Sequence, residues 1–330
     1  MAAALALSAT AGCGVDAQRV AAQIAEVKAA ASASVMDAER HRIAVQAQQA
    51  VDDAAWEAGP RPAVAPGAAT PAGSAQAALA PGAGGPPTSR VGDAASFAAL
   101  QARVGPIGIA VLPVGGAAVR TYGSVATGVA WSTIKVPLSV AAVRAEGGRP
   151  STATSALIRS AVTVSDNGAA ERLWARLGGG AKAAAAVNAV LAEAGDTVTR
   201  VPAARLRPGY SVFGQTPWSL GRAAAYAARL PCQRGAAPVL TQMGRITAAQ
   251  RWGLGTLGGS ARFKGGWGPD SSGAYLVRQL GVITLTDGRQ VGVAIASRPR
   301  SGTFADGRRA LTEIARWLAT RPPGGGAGRC

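Results

Sequence analysis

The sequence has little of the chemistry that many enzymes rely on: one histidine, three cysteines and four lysines in 330 residues. The histidine, His41, lies in a segment that we interpret below as preceding the folded domain. No Ser-His-Asp triad, Cys-His pair or two-histidine metal site can therefore be built in the core. Cys13, Cys232 and Cys330 lie far apart without a CxxC pair, so their spacing predicts neither a zinc site nor a disulfide framework. We expect no metal and no cofactor, and a nucleophile would need a base other than histidine.

The positive charge is almost entirely arginine. The net charge is +17, and only Lys28, Lys135, Lys182 and Lys264 among the 34 basic residues are lysine. Blocks of five or six like charges are absent, and so are helix-turn-helix, zinc-finger and aromatic RNA-binding signatures. We therefore interpret the charge as a compositional bias and predict no nucleic-acid partner. An apolar share of 48%, inflated by alanine, is typical of a globular protein.

The chain begins with a short apolar run, Ala2–Gly12, that ends at Cys13. This resembles a signal peptide that leads into a lipoprotein cysteine. Two features depart from that pattern: no Lys or Arg precedes the run, and Thr10 stands where an aliphatic residue is usual. Lipid attachment at Cys13, which would tie the protein to a membrane, and an unmodified cysteine both remain open. We predict that 1–15 is an export segment and that the protein is exported, either as a membrane-anchored lipoprotein or into a periplasm-like cell-envelope space.

Composition then divides the chain into four further segments. Residues 16–57 are rich in Ala, Gln, Glu and Arg with a thin apolar stripe, which predicts a helical stalk rather than a core helix. Residues 58–92 hold many prolines among Ala, Gly and Ser, which predicts a disordered linker. The globular domain is expected over 93–322, and a flexible tail over 323–330.

Within the domain, strands at both ends enclose helices, which predicts an α/β (α+β) fold: an antiparallel sheet flanked by helices, with an inserted all-helical lobe. An Asp287-Gly288 turn between two apolar runs is a strong hairpin signal. The expected strands are 107–114, 118–122, 262–267, 275–286 and 290–297. The expected helices are 96–104, one from 132 onward, most of 151–257 outside loops at 178–180 and 202–215, and 304–319.

One motif points to a nucleophile. Ser132 and Lys135 form S-x-x-K, and residues three apart on a helix share a face, so the lysine amine could serve the hydroxyl as a base. Burial would keep part of the lysine population neutral, which this role requires. The motif alone is equally consistent with an ordinary helix start in which Ser132 is the N-cap.

Two further motifs follow. Ser165-Asp166-Asn167 precedes a helical run; it offers a hydroxyl and an amide to a substrate, or it is a plain helix cap. Phe263-Lys264-Gly265-Gly266-Trp267 reads as a strand whose lysine faces an anion and whose small residues let a ligand backbone lie alongside, or as a glycine turn with a solvated lysine.

Taken together, S-x-x-K, then S-D-N, then K-G-G resemble the ordered signature of class A β-lactamases and penicillin-binding proteins. Two of the four lysines occupy the two lysine positions. The resemblance covers roughly 96–318, and further stretches agree with class A sequences: 165–170, 195–200 and 215–220.

The resemblance implies a role for each matched residue. Ser132 would be the acylated nucleophile, Lys135 its partner and Ser165 a proton relay, whereas Lys264 would orient Ser165 and a substrate carboxylate. The substrate-binding residues would be Asn167, Gly266 and Trp267. The backbone N–H groups of Ser132 and Trp267 would form the oxyanion hole, and Asp166 would be a structural carboxylate.

The sequence departs from the family at two places. Class A enzymes place a loop glutamate after the G-D-x-x-T-R stretch to activate the deacylating water, but 201–210 holds no acid, and Arg205 falls near the glutamate's place. A guanidinium cannot act as a general base. Gly265 replaces the usual hydroxyl residue, which removes a donor to a substrate carboxylate. Arg278 on the next strand either compensates or is a surface arginine, and we favour the surface reading.

Three hypotheses result. The leading one is a β-lactamase-like serine hydrolase that forms an acyl-enzyme at Ser132, turns over β-lactams slowly or not at all, and acts on a carboxylate-bearing peptide or amide. Its partners would be a small-molecule or peptidoglycan-type substrate, with β-lactams as acylating ligands. The second is a working class A β-lactamase whose deacylating water is placed by another group. The third is an inert binding module that keeps the pocket.

Overall fold

The computed structural model describes residues 91–320 and Cys330. The predicted export segment 1–15, stalk 16–57 and linker 58–92 lie outside the described residues, apart from 91 and 92, and so does the tail 323–330 except for its last residue. Those segments stay predictions. Among the described helices, none is both long and apolar enough to cross a membrane.

Strands lie near the two ends of the described chain, and most of the helices lie between them. The five strands are β1 (Ile107–Pro113), β2 (Arg120–Gly123), β3 (Ala261–Pro269), β4 (Tyr275–Thr284) and β5 (Gln290–Ser297). The α-helices are α1 (Val91–Val104), α2 (Lys135–Ala145), α3 (Thr152–Thr163), α4 (Asn167–Arg176), α5 (Gly180–Glu193), α6 (Leu220–Arg229), α7 (Ala237–Met243) and α8 (Phe304–Thr320). Short 3₁₀ turns occupy Trp131–Ile134, Phe213–Gln215, Leu230–Cys232, Ala248–Gln250 and Gly253–Ser260.

All five strands form one antiparallel sheet in the order β2-β1-β5-β4-β3. The predicted hairpin joins β4 to β5 around Asp287 and Gly288, and β4 ends at Thr284 because Leu285 already closes the turn with Arg289. The short strand β2 runs over 120–123 rather than the expected 118–122. Strand β3 lies at the sheet edge, which leaves one side of its backbone free to face another element.

Helices cover both faces of the sheet. In a sheet, paired residues on neighbouring strands lie on the same face, and so does every second residue along one strand. By this rule the register between β4 and β5 places Val277 and Gly292 on opposite faces. Val277 packs against α8 at Gly307, and Gly292 lies beneath α6 at Ala228. A Cβ on Gly292 would come within 2.2 Å of the Ala228 nitrogen, so only glycine lets α6 approach this closely. Lys264 pairs with Leu280, which puts the lysine on the α6 face.

A second, all-helical layer is inserted between β2 and β3. Helix α2 packs against α3, α4 and α5, and α3 packs against α7. Their shared interior is apolar and fully buried, formed by residues such as Ile134, Leu138, Ile158, Leu173, Val187 and Val239. The predicted architecture, an antiparallel sheet with flanking helices and an inserted helical lobe, is confirmed.

One prediction about cysteine was wrong. Cys232 and Cys330 form a disulfide with their Cα atoms 5.5 Å apart. The two positions are 98 residues apart in sequence, a separation that carries no local spacing signal. Only the three-dimensional fold brings them together, so sequence spacing alone gave no reason to expect the bond.

Candidate active site

The predicted nucleophile sits on a tight turn at the start of α2. Ser132 lies in the 3₁₀ turn Trp131–Ile134, and α2 begins at Lys135. The N-cap positions are Ala130 and Ile134, and neither makes a side-chain cap hydrogen bond, so Ser132 is not a helix cap. Trp131 has a φ of +49°, a left-handed conformation that costs a non-glycine residue about 1–3 kcal/mol. Backbone strain of this kind clusters at functional sites.

Strand β3 approaches this turn closely at Gly266. A Cβ there would lie 2.8 Å from the backbone nitrogens of both Ser132 and Thr133 and 2.9 Å from Ala130 O. A side chain there would force the backbone to shift, so the edge of β3 and the Ser132 backbone pack directly against each other and form one continuous wall. The sequence analysis explained the small residues on this strand by a ligand that lies alongside it. The structure gives a second reason, because the Ser132 turn packs directly on Gly266.

Ser165 joins the two predicted lysines. Its hydroxyl accepts a hydrogen bond from Lys264 Nζ at 2.9 Å and lies 3.4 Å from Lys135 Nζ. Lys135 Nζ also donates to Ser165 O at 2.5 Å and to Asn167 Oδ1 at 2.7 Å. Ser165 has a φ of +62°, and this left-handed backbone presents its carbonyl to Lys135 and its hydroxyl to both lysines. The three motifs, distant in sequence, therefore meet in one cluster.

Burial changes the chemistry of both lysines. Lys135 is 1% exposed and Lys264 is fully buried. Burial lowers the pKa of Lys135 to about 7, although the charges of Asp166 and Glu171 oppose the shift. Burial, and then the charge of Lys135, lower the pKa of Lys264 well below its ordinary value. Near neutral pH a substantial share of Lys135 is thus a free amine, which is what a base for serine must be.

Asp166 has the structural role expected of it. Its carboxylate caps α4 by accepting a hydrogen bond from Ala169 N at 2.9 Å, and it accepts another from Ser160 Oγ at 3.0 Å. Burial disfavours the charge of Asp166, but these hydrogen bonds and the nearby cations outweigh it, and the net pKa is lowered. The helix-cap reading of the Ser-Asp-Asn motif thus holds for Asp166 and not for Ser165.

The side chains of Ser132 and Trp267 make fewer contacts within the cluster than those of the other predicted site residues. No described residue hydrogen-bonds to the Ser132 hydroxyl, and Lys135 Nζ bonds to Ser165 and Asn167 instead. Trp267 turns its ring to the other face of β3, where it stacks on Phe304 with centroids 4.9 Å apart. Only its backbone is placed to serve a ligand at the Ser132 wall. Within 91–320 and Cys330, no group of three or more His, Cys, Asp or Glu residues could hold a metal.

Arg278 is not the surface residue that we favoured. It is 1% exposed, and its Nη1 donates to the carbonyls of Gly128, Val129 and Trp218 at 3.1, 3.2 and 2.9 Å. The surface reading was wrong because β4 is an interior strand with both faces covered. The buried guanidinium fixes the backbone that leads into the Ser132 turn.

The loop that lacks the family's glutamate lies beside the same turn. The Tyr210 ring packs 5.2 Å from the Trp131 ring, and the Arg207 guanidinium covers Tyr210 at 4.6 Å. Arg205 Nη1 donates to Tyr210 O, and Arg207 Nη1 donates to Pro269 O at the end of β3. Arg205 therefore stabilises the loop internally, and Arg207 ties it to the end of β3.

One residue near the cluster escaped the sequence analysis. Glu171 is half-buried on α4, four residues after Asn167, so the two lie on one helix face. Burial raises the pKa of Glu171, and the charges of Arg205 and Lys135 pull it only partly back. The available signal was the spacing N-x-x-x-E within the Ser-Asp-Asn helix.

Comparison with known proteins supports the fold. No protein-family model and no curated protein matches this chain. It is similar to a solved beta-lactamase from Chitinophaga pinensis, at 16% identity and a TM-score of 0.57, over 69% of this chain and 98% of that one. A beta-lactamase from Sphaerobacter thermophilus matches at 21% identity and 0.51, over 71% and 98%. An ancestral class A beta-lactamase matches at 20% and 0.54, over 69% and 99%. At these identities the likeness shows a class A β-lactamase-like fold.

Proposed function

We propose that this chain is a β-lactamase-like serine hydrolase that forms an acyl-enzyme at Ser132. One observation supports this above all: two buried lysines from distant motifs meet at the Ser165 hydroxyl, next to the turn that holds Ser132. Burying two amines together is costly, and a structural role alone would be served more cheaply by apolar residues.

Acylation would use this cluster as follows. The neutral Lys135 amine takes the Ser132 proton while Oγ forms a bond to the substrate's amide carbon. The developing oxyanion accepts hydrogen bonds from the backbone N–H groups of Ser132 and Trp267. Ser165 passes a proton to the leaving nitrogen as the C–N bond breaks, and Lys135, whose Nζ lies 3.4 Å from Ser165 Oγ, returns to Ser165 the proton that it took from Ser132. Lys264 holds Ser165 in place through their 2.9 Å hydrogen bond. Catalysis thus needs no histidine.

The substrate that suits this pocket is a peptide or amide with a carboxylate. Lys264 is deeply buried and its pKa is strongly lowered by burial, so an incoming carboxylate would be the partner that restores its charge. Asn167 offers an amide to the substrate backbone. Because Gly265 supplies no hydroxyl, recognition of the carboxylate rests on Lys264, and we propose a peptidoglycan-type substrate with β-lactams as acylating ligands.

Turnover would be slow. Deacylation needs a water activated beside the ester, and the loop over 201–210 presents arginine where a carboxylate is required. We propose that the acyl-enzyme with β-lactams persists.

The cellular setting proposed from the sequence is export, with attachment at Cys13 as one route. The Cys232–Cys330 disulfide supports this, because disulfides persist in oxidising compartments such as the cell envelope.

Intact-mass measurement during incubation with a penicillin tests the proposal. We expect one covalent adduct, mapped to Ser132 by peptide analysis and absent in Ser132→Ala. Absence of both adduct and hydrolysis would contradict the enzyme and favour the inert binding module.

A further inference from the structure

Glu171 occupies a position between the catalytic cluster and the loop. It lies one helical turn beyond Asn167, whose Oδ1 is 2.7 Å from Lys135 Nζ, on the face of α4 adjacent to the buried residues that pack on α2. Three residues further along α4, the Trp174 ring packs 5.6 Å from Phe213, just after the arginine-bearing loop. Glu171 therefore lies on the part of α4 that is near α2 and the loop, where the charges of Arg205 and Lys135 act on it.

The Glu171 carboxylate has no direct partner. No hydrogen bond or ion pair joins it to any residue in 91–320 or to Cys330, although it is half-buried. Other acids in the described chain do have partners: Glu146 accepts from Ser151 N and Thr154 Oγ1, and Glu193 pairs with Arg144. A half-buried carboxylate without a protein partner is free to hydrogen-bond to a water, as a general base must.

We propose that Glu171 is the general base of deacylation, replacing from helix α4 the carboxylate that the loop lacks. This inference rests on the proposed acylation of Ser132. It also explains why Arg205 is tolerated in the loop, since its positive charge lies near an acid from another element. The slow hydrolysis that remains would run through Glu171.

The step balances in atoms and protons. A water oxygen forms a bond to the carbonyl carbon of the acyl-Ser132 ester, and its proton moves to the Glu171 carboxylate. When the tetrahedral intermediate collapses, the bond between carbon and Ser132 Oγ breaks. The proton returns through Lys135 to Oγ, which leaves free serine and a carboxylic acid product.

Burial and two charged residues set the pH at which this base works. Arg205 in the loop and Lys135 on α2 act on Glu171, whereas Asp166, the N-cap of α4, acts on Lys135. Because a base must be ionised, deacylation should rise with pH through the pKa of Glu171. Arg205 lowers that pKa, so its removal should move the rising limb to higher pH.

The test measures decay of the penicilloyl adduct on the full-length protein after excess penicillin is removed. Glu171→Gln should acylate at the wild-type rate well above pH 7, where Lys135 is a free amine with or without the charge of Glu171, and this rate reports an intact pocket. Its adduct should decay about 100-fold more slowly. Glu313→Gln, on the opposite face of the sheet, is the matched control and should decay as wild type does. Arg205→Gln should shift the midpoint of the decay profile to higher pH, which a merely structural glutamate would not do.

The outcomes separate this inference from the proposed function. Normal acylation with unchanged decay in Glu171→Gln, or a profile that stays in place in Arg205→Gln, would overturn the role of Glu171 alone. A wild-type adduct that never decays would also overturn it, because no working base would exist. If no variant and no wild-type protein is acylated, the proposed function fails, and this inference fails with it.

Discussion

Two regions that meet at Ser132 differ sharply in how they are built. The acylation cluster (Ser132, Lys135, Ser165, Asn167 and Lys264) has its two lysines buried, joined through Ser165 by short hydrogen bonds. The arginine loop (201–212) is largely exposed, with Leu206 at 62%, and its arginines contact backbone carbonyls. One region is buried and internally hydrogen-bonded, and the other is exposed and carries arginines in place of an acid.

The difference indicates that the two half-reactions of a serine hydrolase depend on separate structures. Acylation needs a nucleophile, a neutral amine and a proton relay, all of which the cluster can supply. Deacylation needs a base for water on the opposite side, and the loop lacks one. A chain can therefore keep the first step while losing most of the second, and substitutions in the two regions should have distinct kinetic effects.

The largest effect is expected from Lys135→Met, which removes the proposed base but retains much of the volume. Acylation should slow by about 100-fold to 10,000-fold. In the wild type, the acylation rate should rise as the pH passes about 7, because the deprotonated amine is the active form. Stopped-flow acylation kinetics across pH measure both quantities.

Lys182→Met is the matched control, because Lys182 is exposed on α5. It should acylate like the wild type. Equal acylation rates in the wild type, Lys135→Met and Lys182→Met would mean that the cluster is only structural. The difference between the two regions would then not correspond to two kinetic steps.

An intermediate effect is expected from Gly266→Ala, which probes the contact between β3 and the Ser132 turn. The new Cβ would meet the nitrogens of Ser132 and Thr133 at 2.8 Å, so the wall must shift. We expect a loss of about 1–3 kcal/mol in the free energy of unfolding and slower acylation. Gly259→Ala, where nothing lies within 4 Å, should change neither quantity. Chemical denaturation measures the free energy of unfolding, and the rate of penicillin labelling measures acylation.

The smallest effect on chemistry is expected from Cys232→Ser. Loss of the disulfide to Cys330 should lower the free energy of unfolding by about 2–4 kcal/mol. The acylation rate should stay the same, since neither cysteine contacts the cluster. A large fall in acylation at temperatures where the variant is folded would show that the site depends on this distant link.

Local sequence patterns predicted the fold and pointed to the residues of the cluster for identifiable reasons. The Asp287-Gly288 turn and the alternating runs specify strands locally, and Ser132, Lys135, Ser165 and Lys264 belong to ordered motifs. The burial of Arg278, the Cys232–Cys330 bond and the position of Glu171 depend on which elements pack together. Contacts between residues far apart in sequence leave no local pattern, so these three features required the structure.

The central claim, that acylation is intact and deacylation is impaired, is tested most directly by rapid-mixing kinetics with a chromogenic β-lactam. The account predicts a burst of product stoichiometric with the protein, followed by a much slower steady rate. Fast, linear hydrolysis without a burst would contradict the account, because deacylation would then not limit the rate.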